Sequence, residues 1–341
     1  MTISSEPKQT SQLVREFGSS EFSTTPKAVI VHDPTEFAAF NGGFGSCNQE
    51  KLQQYYLFRD QPNVAQFHAD HQEFVKTLKS LVPKVLYVSE ILSQRSPAQL
   101  AKFSNYLSTN PNQVYTRDAL ITIPWIPNGY IVGNMGTEIR YKEAEVMSCV
   151  ADLLGLEEIV KVPDELPLEG GDVIPFCHQD KKYLLVGYDK YTPKESLYFL
   201  QSELVPKGII DGVIGIKLAQ WRINLDCGMV PVAEDVIVAE TDSLLGGILL
   251  DSSETKIDPI GFFKDLGFNF IEVTKEESVY KLGCNCFCVG ERTIVAYDLP
   301  ERVHRLLEQH DVKAIKIKGK ELVKGTGGPR CMTRPIYQDV K

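Results

Sequence analysis

A repeated hairpin pattern constrains the fold of this 341-residue chain more than any other feature. Asp118, Asp172 and Asp226 each stand at the head of a predicted hairpin, and the intervals 226 − 172 and 172 − 118 are both 54. Each hairpin reads as a short strand, a turn and a second apolar strand, and a helical pattern follows. Such a period predicts a radial array of α/β units, because repeats bury their faces only against neighbours. An ordinary α+β fold with coincidental spacing is the alternative.

Composition and charge exclude several classes of partner. The net charge is −9, both signs are scattered along the chain, and Lys and Arg form no run of the kind that neutralises phosphates or anionic lipid. The chain also has no apolar run of about 20 residues. We therefore expect no nucleic-acid partner, no membrane association and a cytoplasmic location. The 8 cysteines are spread along the chain, which favours reduced thiols over disulfides.

The first 27 residues differ from the rest. They are rich in Ser, Thr and charged side chains and have no sustained periodicity, which predicts a poorly ordered leader over residues 1–27. The remainder, residues 28–341, is predicted to form a single α/β domain. Near its start, the glycine-rich segment "FNGGFGSCNQEKLQQYY" is expected to be a flexible loop that could close over a site.

Carboxylates gather at the predicted strand heads. Asp118 lies in "YTRD", Glu169 and Asp172 in "LEGGD", and Asp226 in "NLD". Carboxylates that share a partly dry site repel unless a cation neutralises them. No calcium loop and no His/Cys spacing typical of zinc is present, so we expect no metal. A guanidinium fits better, because its planar fork of donors pairs with carboxylates in bidentate fashion.

The segment "KGTGGPRCM" places Cys331 behind a glycine-rich run. A thiolate can attack the central carbon of a guanidinium, expel an amine and leave a covalent thiouronium. Water would then release a ureido product, whereas an amine acceptor would receive the amidino group. No organic cofactor is needed. The alternative is a plain turn with a buried cysteine beside it.

Several segments together resemble the guanidino-modifying superfamily and are most similar to arginine deiminases, with amidinotransferases and dimethylarginine dimethylaminohydrolases as more distant relatives. They are "NQVYTRDALITI", "IVGNMGTEIRYKEAE", "LEGGDV", "NLDCGMVPV", "GCNCFCVGERTIVAYD" and "IKGKELVKGTGGPRCMTRPI". The resemblance implies a pseudo-five-fold α/β propeller of ββαβ-type repeats. It also implies a small guanidino substrate such as arginine, and it leaves homo-oligomer formation open.

The same resemblance assigns roles to individual residues. It implies that Cys331 is the nucleophile and that Asp118 and Asp226 clamp the guanidinium. Glu169 takes part in catalysis and lines the pocket.

Three further residues are implied to touch the substrate. Asp172 lines the pocket beside Glu169, Asn112 contacts the substrate, and Arg140 meets the substrate carboxylate.

Two positions depart from the family pattern. Asn224 stands where deiminases carry the general acid/base histidine, and a carboxamide cannot shuttle a proton near neutral pH. Thr326 stands where an arginine usually helps to hold the substrate carboxylate, a role that Arg117, Arg222, Arg330 or Arg334 could take over. The sequence thus predicts a deiminase-type C–N hydrolase that is impaired by Asn224. An amidinotransferase and a non-catalytic guanidino binder remain as alternatives.

Overall fold

The fold is described for residues 20–340 of a computed structural model. Most of the predicted leader, residues 1–19, lies outside the described residues. Its end, residues 20–27, packs against the domain, and Glu21 in the 3-10 turn Glu21–Ser23 is buried. No helix among the described residues is both long and apolar enough to span a bilayer.

Short strands in small sheets form most of the framework. The described residues contain seventeen strands: β1 Ala28–Val31, β2 Val85–Tyr87, β3 Leu120–Ile123, β4 Ile126–Val132, β5 Glu157–Val160, β6 Val173–His178, β7 Lys181–Tyr188, β8 Gly212–Leu218, β9 Met229–Ala233, β10 Val236–Ala239, β11 Leu244–Leu250, β12 Glu254–Ile257, β13 Asn269–Glu272, β14 Phe287–Cys288, β15 Thr293–Tyr297, β16 Lys313–Ile317 and β17 Arg334–Ile336. They form five sheets, of which four have three strands and one has five.

One pairing scheme recurs in all five sheets of the described chain. A first strand pairs antiparallel with a second, and the second pairs parallel with a third. The five sets are β3-β4-β5, β6-β7-β8, β9-β10-β13, β14-β15-β16 and β17-β1-β2. Strands β11 and β12 extend the second set. The last set joins the two ends of the chain, because β1 pairs with β17.

The parallel pairings need crossover connections, and several of these carry helices. The helices are α1 Gly42–Gly45, α2 Gln49–Gln54, α3 Val64–Lys79, α4 Val88–Arg95, α5 Pro97–Leu107, α6 Tyr141–Leu153, α7 Lys194–Leu204, α8 Pro259–Asp265, α9 Lys275–Lys281 and α10 Glu301–Gln309. Helix α3 shows how they pack: Asn63 caps its first turn by accepting from the Gln66 amide, and one face buries Phe67, Phe74 and Leu78. The predicted mixed α/β class is confirmed.

The first strands of three sheets begin just after the equally spaced aspartates. Asp118 precedes β3, Asp172 precedes β6 and Asp226 precedes β9. These three strands are almost wholly buried, as expected of strands that are covered on both faces. The equal spacing in the sequence therefore reflects equivalent positions in equivalent sheets.

Candidate active site

The candidate site is built on short turns that precede first strands. Asp172 ends the 3-10 turn Gly170–Asp172, and Asp226 lies in the 3-10 turn Leu225–Cys227, of which Asn224 is the N-cap. Arg140 ends another 3-10 turn, Glu138–Arg140, which leads into helix α6. These turns aim polar side chains into the interior. All eight residues predicted for the site are buried: Asn112, Asp118, Arg140, Glu169, Asp172, Asn224, Asp226 and Cys331.

Five of these residues line one narrow pocket, namely Asn112, Asp118, Arg140, Asn224 and Cys331. Asp226 reaches the same place through its contact with the Cys331 thiol, and Glu169 and Asp172 lie behind Asn224. The pocket has a volume of about 20 Å³, which is room for roughly one water molecule. A guanidinium group is larger, so the walls must move before one can enter.

The Cys331 thiol is enclosed by polar groups. Its Sγ atom lies 3.5 Å from Asp226 Oδ2, and Asn285 Nδ2 donates to the sulfur over 3.0 Å. The Cys331 amide in turn donates to Asn285 Oδ1 over 3.1 Å. Contact with the Cys227 thiol, burial and the Asp226 charge raise the pKa of Cys331 well above its ordinary value. These effects favour the thiol form of the sulfur, and a bound cation would favour its ionisation.

Two glycines allow the loop before Cys331 to pass close to its neighbours. A Cβ atom at Gly327 would lie 2.2 Å from the Tyr115 ring, and one at Gly328 would lie 2.8 Å from Asn285 Oδ1. Neither space admits a side chain. Gly327 and Gly328 are thus required by close packing around the thiol.

Each of the two predicted clamp carboxylates has one engaged oxygen and one without a partner. Asp118 Oδ2 accepts from Arg140 Nη2 at 2.9 Å, and Asp226 Oδ2 accepts from Arg330 Nη1 at 3.0 Å. The Oδ1 atoms of both are buried, and no hydrogen-bond partner reaches them among residues 20–340. Burial, only partly offset by Arg140, raises the pKa of Asp118 to about 7. A cationic ligand would supply the missing donors.

Asn224 joins two carboxylates. Its Nδ2 atom donates to Glu169 Oε2 over 2.9 Å and to Asp172 Oδ2 over 3.0 Å. Asp172 also accepts from Thr192 Oγ1 and from the Leu225 amide. Burial raises the pKa of Asp172 well above its ordinary value. The carboxamide therefore occupies a well-defined position but has no proton to exchange near neutral pH.

Arg140 is engaged by protein carboxylates. Its guanidinium contacts Asp118 and forms a bidentate pair with Glu143, at 2.9 Å from Nε and 2.7 Å from Nη2. It thereby positions one side of the clamp. A role for Arg140 toward the substrate carboxylate stays a prediction.

Four arginines could take over the role of the arginine that the family carries at the position of Thr326. Like Arg140, all four are engaged by other groups of the protein. Arg117, Arg222, Arg330 and Arg334 are all buried. Arg222 pairs with Glu240 at 2.9 Å. Arg117 donates to the Arg330 carbonyl, Arg330 pairs with Glu21 and Asp226, and Arg334 donates to the Arg117 carbonyl.

The sequence does not identify Glu21 as a site residue, because Glu21 lies in the segment predicted to be a poorly ordered leader. Its carboxylate pairs with Arg117 at 3.0 Å and with Arg330 at 2.9 Å. Burial raises the pKa of Glu21, but the charges of Arg117 and Arg330 outweigh burial and hold this pKa at about 2. Arg330 thus links Glu21 to Asp226. Only a long-range contact makes Glu21 important, and no local pattern indicates such a contact.

A second cavity lies outside the narrow pocket. Its volume is about 310 Å³, and it shares Leu57 and Thr326 with the inner pocket. Both residues have left-handed backbones, with φ of 60° and 67°, and Thr326 Oγ1 donates to the Leu57 carbonyl over 3.0 Å. Left-handed backbones at non-glycine residues cluster at functional sites. The segment that the sequence predicts to close over a site ends at Tyr56, next to Leu57, which lines both cavities.

Comparison with known proteins gives consistent similarities. Residues 97–257 and 262–338 match the family model described as arginine deiminase. Arginine deiminase of Staphylococcus aureus strain JH9 is 24% identical over 316 residues, covering 79% of this chain and 75% of the relative. The corresponding enzyme of a Staphylococcus epidermidis strain is also 24% identical, over 326 residues and with the same coverage.

Two solved structures share the fold. The N-terminal domain of ArgZ bound to product, an arginine dihydrolase from the ornithine-ammonia cycle in cyanobacteria, superposes with a TM-score of 0.66 at 13% identity, covering 91% of this chain and 97% of that one. A mutant of DDAH from Pseudomonas aeruginosa in complex with citrulline gives 0.63 at 17% identity, covering 91% and 99%. The resemblance to guanidino-modifying enzymes is thereby confirmed.

Proposed function

Because the chain belongs to the arginine deiminase family and is an arginine-deiminase-like hydrolase, we propose that it cleaves a guanidino C–N bond of arginine or a close guanidino compound. One observation carries the proposal: a buried thiol lies 3.5 Å from Asp226, and Asp226 and Asp118 each keep a carboxylate oxygen without a partner among the described residues. This arrangement suits a cation placed directly beside a nucleophile.

The reaction proceeds in two steps, formation of a thiouronium on Cys331 and its hydrolysis. Cys331 Sγ bonds to the guanidinium carbon, and its proton passes to the nearby Asp226 carboxylate. The tetrahedral adduct breaks one C–N bond, and the departing nitrogen takes a proton from a water molecule, because Asn224 has none to give, and leaves as ammonia. The resulting hydroxide adds to the thiouronium carbon, Asp226 returns its proton to the departing sulfur, and the ureido product forms with release of one proton to solvent. Asp118 stabilises the positive charge throughout, and Asp226 does so whenever it is ionised.

Asn224 limits the rate in this scheme. Proton transfer to the departing nitrogen and from the attacking water needs a group that titrates near pH 7, and Asn224 has none. We propose that turnover is slow for this reason and that Glu169 and Asp172, which hold Asn224, do not replace the missing base. Amidino transfer to an amine and binding without turnover remain the alternatives, and Asn224 favours the second.

The proposal extends to the fold. The same three-strand pairing in five sheets supports a pseudo-five-fold α/β propeller, with the strand heads directed towards its axis. We also propose that residues 28–341 form one domain, because β17 near the carboxyl end pairs with β1 near its start.

The decisive test is intact-protein mass spectrometry after incubation with a panel of guanidino compounds, with released ammonia measured in parallel. A covalent adduct, together with ammonia and a ureido product, is expected at a low rate. Cys331→Ala should remove both adduct and ammonia, while Cys286→Ala, a buried cysteine elsewhere, should change neither. A new guanidine that forms only with an added amine would indicate transfer. Saturable binding without adduct or ammonia would indicate a binder.

A further inference from the structure

The cavity outside the narrow pocket, the outer cavity, is large enough to hold a chemical group of its own. Its volume is about 310 Å³, against about 20 Å³ for the narrow pocket beside Cys331. Cavities of about 300 Å³ and above are typical of sites that bind a whole small molecule. We propose that the outer cavity binds the acyl group of an Nα-acylated arginine. This assignment rests on the proposed function, because it names the substrate class of the same site.

The junction between the two cavities suits an aliphatic chain. Leu57, Ile223, Cys227 and Thr326 line both cavities. The hydroxyl of Thr326 is already engaged, because it donates to the Leu57 carbonyl over 3.0 Å. A methylene chain needs no hydrogen-bond partner and loses nothing by leaving water here. With its guanidinium beside Cys331, an arginine would therefore place its methylene chain at the junction and its α-nitrogen at the start of the outer cavity.

The outer cavity offers poor partners for the α-ammonium of free arginine. Among residues 20–340, no Asp or Glu lines this cavity. Two carbonyls beside it are engaged, since Val279 accepts from Arg59 Nη2 over 2.6 Å and Leu57 accepts from Thr326. An ammonium that leaves water without gaining such partners is unfavourable. Acylation removes the positive charge from this nitrogen and so removes the conflict.

The two cations nearest the cavity point the same way. Arg59 and Lys190 both line it. The Arg59 guanidinium lies 4.7 Å from the centre of the Tyr280 ring, and the Lys190 ammonium lies 4.9 Å from that of Tyr191. These partners are uncharged, so they leave a positive charge that repels an ammonium and attracts a carboxylate. An Nα-acylated arginine has lost the first group and keeps the second.

Apolar side chains supply a surface for the acyl group. Four of them line the outer cavity and are absent from the lining of the narrow pocket: Phe58, Tyr191, Trp221 and Leu282. The Trp221 ring is held by two cations, with Lys275 Nζ 4.1 Å and the Arg222 guanidinium 4.4 Å from its centre. A wall fixed before the ligand arrives costs little ordering, and apolar surface buried against it favours an apolar acyl group.

A ligand series on the Cys331→Ala variant tests the assignment by calorimetry, because no turnover disturbs the measurement. Loss of the ammonium should make Nα-acetylarginine bind about tenfold tighter than arginine. The larger apolar surface of Nα-benzoylarginine should add about another tenfold. Nα-benzoylnorleucine, which has the acyl group and no guanidinium, should bind far more weakly than Nα-benzoylarginine.

Several results of this series would overturn the assignment. Arginine that binds as tightly as Nα-benzoylarginine would do so, and equal affinity for the acetyl and benzoyl compounds would show that no apolar group is accommodated. Equal affinity for Nα-benzoylnorleucine would mean that the acyl group binds elsewhere. Tighter binding of Nα-benzoylargininamide, whose carboxylate is capped, would indicate an arginine within a peptide instead.

The two tryptophans of the chain provide a matched pair of variants. Trp221 lines the outer cavity, whereas Trp125 donates to the Ile209 carbonyl in another part of the fold. Trp221→Ala should weaken the binding of Nα-benzoylarginine about five- to tenfold and that of arginine less than about twofold. Trp125→Ala should change neither affinity, and circular dichroism shows whether each variant is folded. An equal loss for both ligands in folded Trp221→Ala would overturn the assignment, and the ligand series decides it if that variant does not fold.

Turnover by the parent chain separates this assignment from the proposed function. If Nα-benzoylarginine binds as expected but no compound gives an adduct or ammonia, the proposed hydrolase fails and the acyl-binding cavity stands. If free arginine is hydrolysed with a higher kcat/KM than Nα-benzoylarginine, the proposed function stands and the assignment of the outer cavity fails.

Discussion

Asn285 holds Cys331 from two sides: its Nδ2 atom donates to the sulfur over 3.0 Å, and its Oδ1 atom accepts from the Cys331 amide over 3.1 Å. The two residues belong to different strand sets, because Asn285 precedes β14 and Cys331 precedes β17. The donor favours the thiolate, and the acceptor fixes the backbone that carries it. A pair of this kind orients a nucleophile before the substrate arrives.

We therefore expect Asn285→Ala to slow iodoacetamide alkylation of Cys331 by about 10- to 100-fold at neutral pH. Hydrogen bonds to charged groups contribute about 1.5–3 kcal/mol, and the variant loses the one that stabilises the thiolate. The measurement is the pH profile of alkylation, followed by mass spectrometry of the Cys331 peptide. Asn269→Ala, at an exposed asparagine in β13, is the matched control and should leave the profile unchanged. An unshifted profile in the folded Asn285 variant would show that the contact has no role in reactivity.

Binding of a guanidinium should depend on the protonation of Asp118. Burial raises the pKa of this carboxyl to about 7, and a guanidinium binds the ionised form. Affinity should therefore fall about tenfold for each pH unit below 7 and level off above it. Calorimetry of a non-reactive guanidino compound with Cys331→Ala, between pH 5 and pH 8, measures this slope.

The control variants separate the clamp from general effects of pH. Asp118→Asn should bind weakly at every pH and lose the slope, while Asp226→Ala should lose about 3–5 kcal/mol of binding free energy.

The raised pKa of Asp118 has a second consequence, for the stability of the fold. Between the unfolded value of about 4 and the folded value of about 7, the native state holds the proton longer than the unfolded chain. This group should therefore lower the free energy of unfolding as pH rises through that window. Equal affinity for the guanidino compound at pH 5 and pH 8 would show that Asp118 does not take part in binding it.

The sequence predicts best what local patterns encode. Strand alternation and the equal spacing of Asp118, Asp172 and Asp226 place carboxylates at strand heads, and the structure has them there. Asn285 and Glu21 could not be predicted, because their importance comes from contacts with Cys331 and Arg330 across the chain. Amphipathic patterns report which face is buried, and they do not report which distant polar groups meet behind it.

Lys190 is a second candidate, besides Arg140, for meeting a carboxylate on the substrate. It is exposed at the outer cavity, with its ammonium 4.9 Å from the centre of the Tyr191 ring. Lys190→Ala should raise KM about two- to fivefold for guanidino compounds that carry a carboxylate, since exposed ion pairs contribute little. Compounds of the same length without a carboxylate should show no change, and Lys190→Arg should retain most of the affinity. A similar loss for both kinds of compound would mean that Lys190 only shapes the cavity.

Asn224 is the residue at which a single substitution should restore activity. Its Nδ2 atom lies 2.9 Å from Glu169 and 3.0 Å from Asp172, so an imidazole at this position would have two carboxylates to orient it. Those charges raise the pKa of an imidazole, while burial lowers it. The result is a proton donor and acceptor near neutral pH, directly beside the thiol pocket. Asn224→His should therefore increase kcat by about 100-fold or more, since a positioned acid/base group is typically worth 10²–10⁴ in rate.

The measurement compares steady-state ammonia release and adduct formation in the two proteins. Asn224→Gln keeps the carboxamide and supplies no titrating group, so it should remain as slow as the parent. Binding of the substrate, measured in a Cys331→Ala background, should be nearly equal in all three, because Asp118 and Asp226 are unchanged. A thiouronium that accumulates on Cys331 in the parent and disappears in Asn224→His would place the defect at the water-addition step. Equal kcat for the parent and the histidine variant would mean that protons move through another residue, and Asp226, 3.5 Å from the sulfur, would be the first to replace.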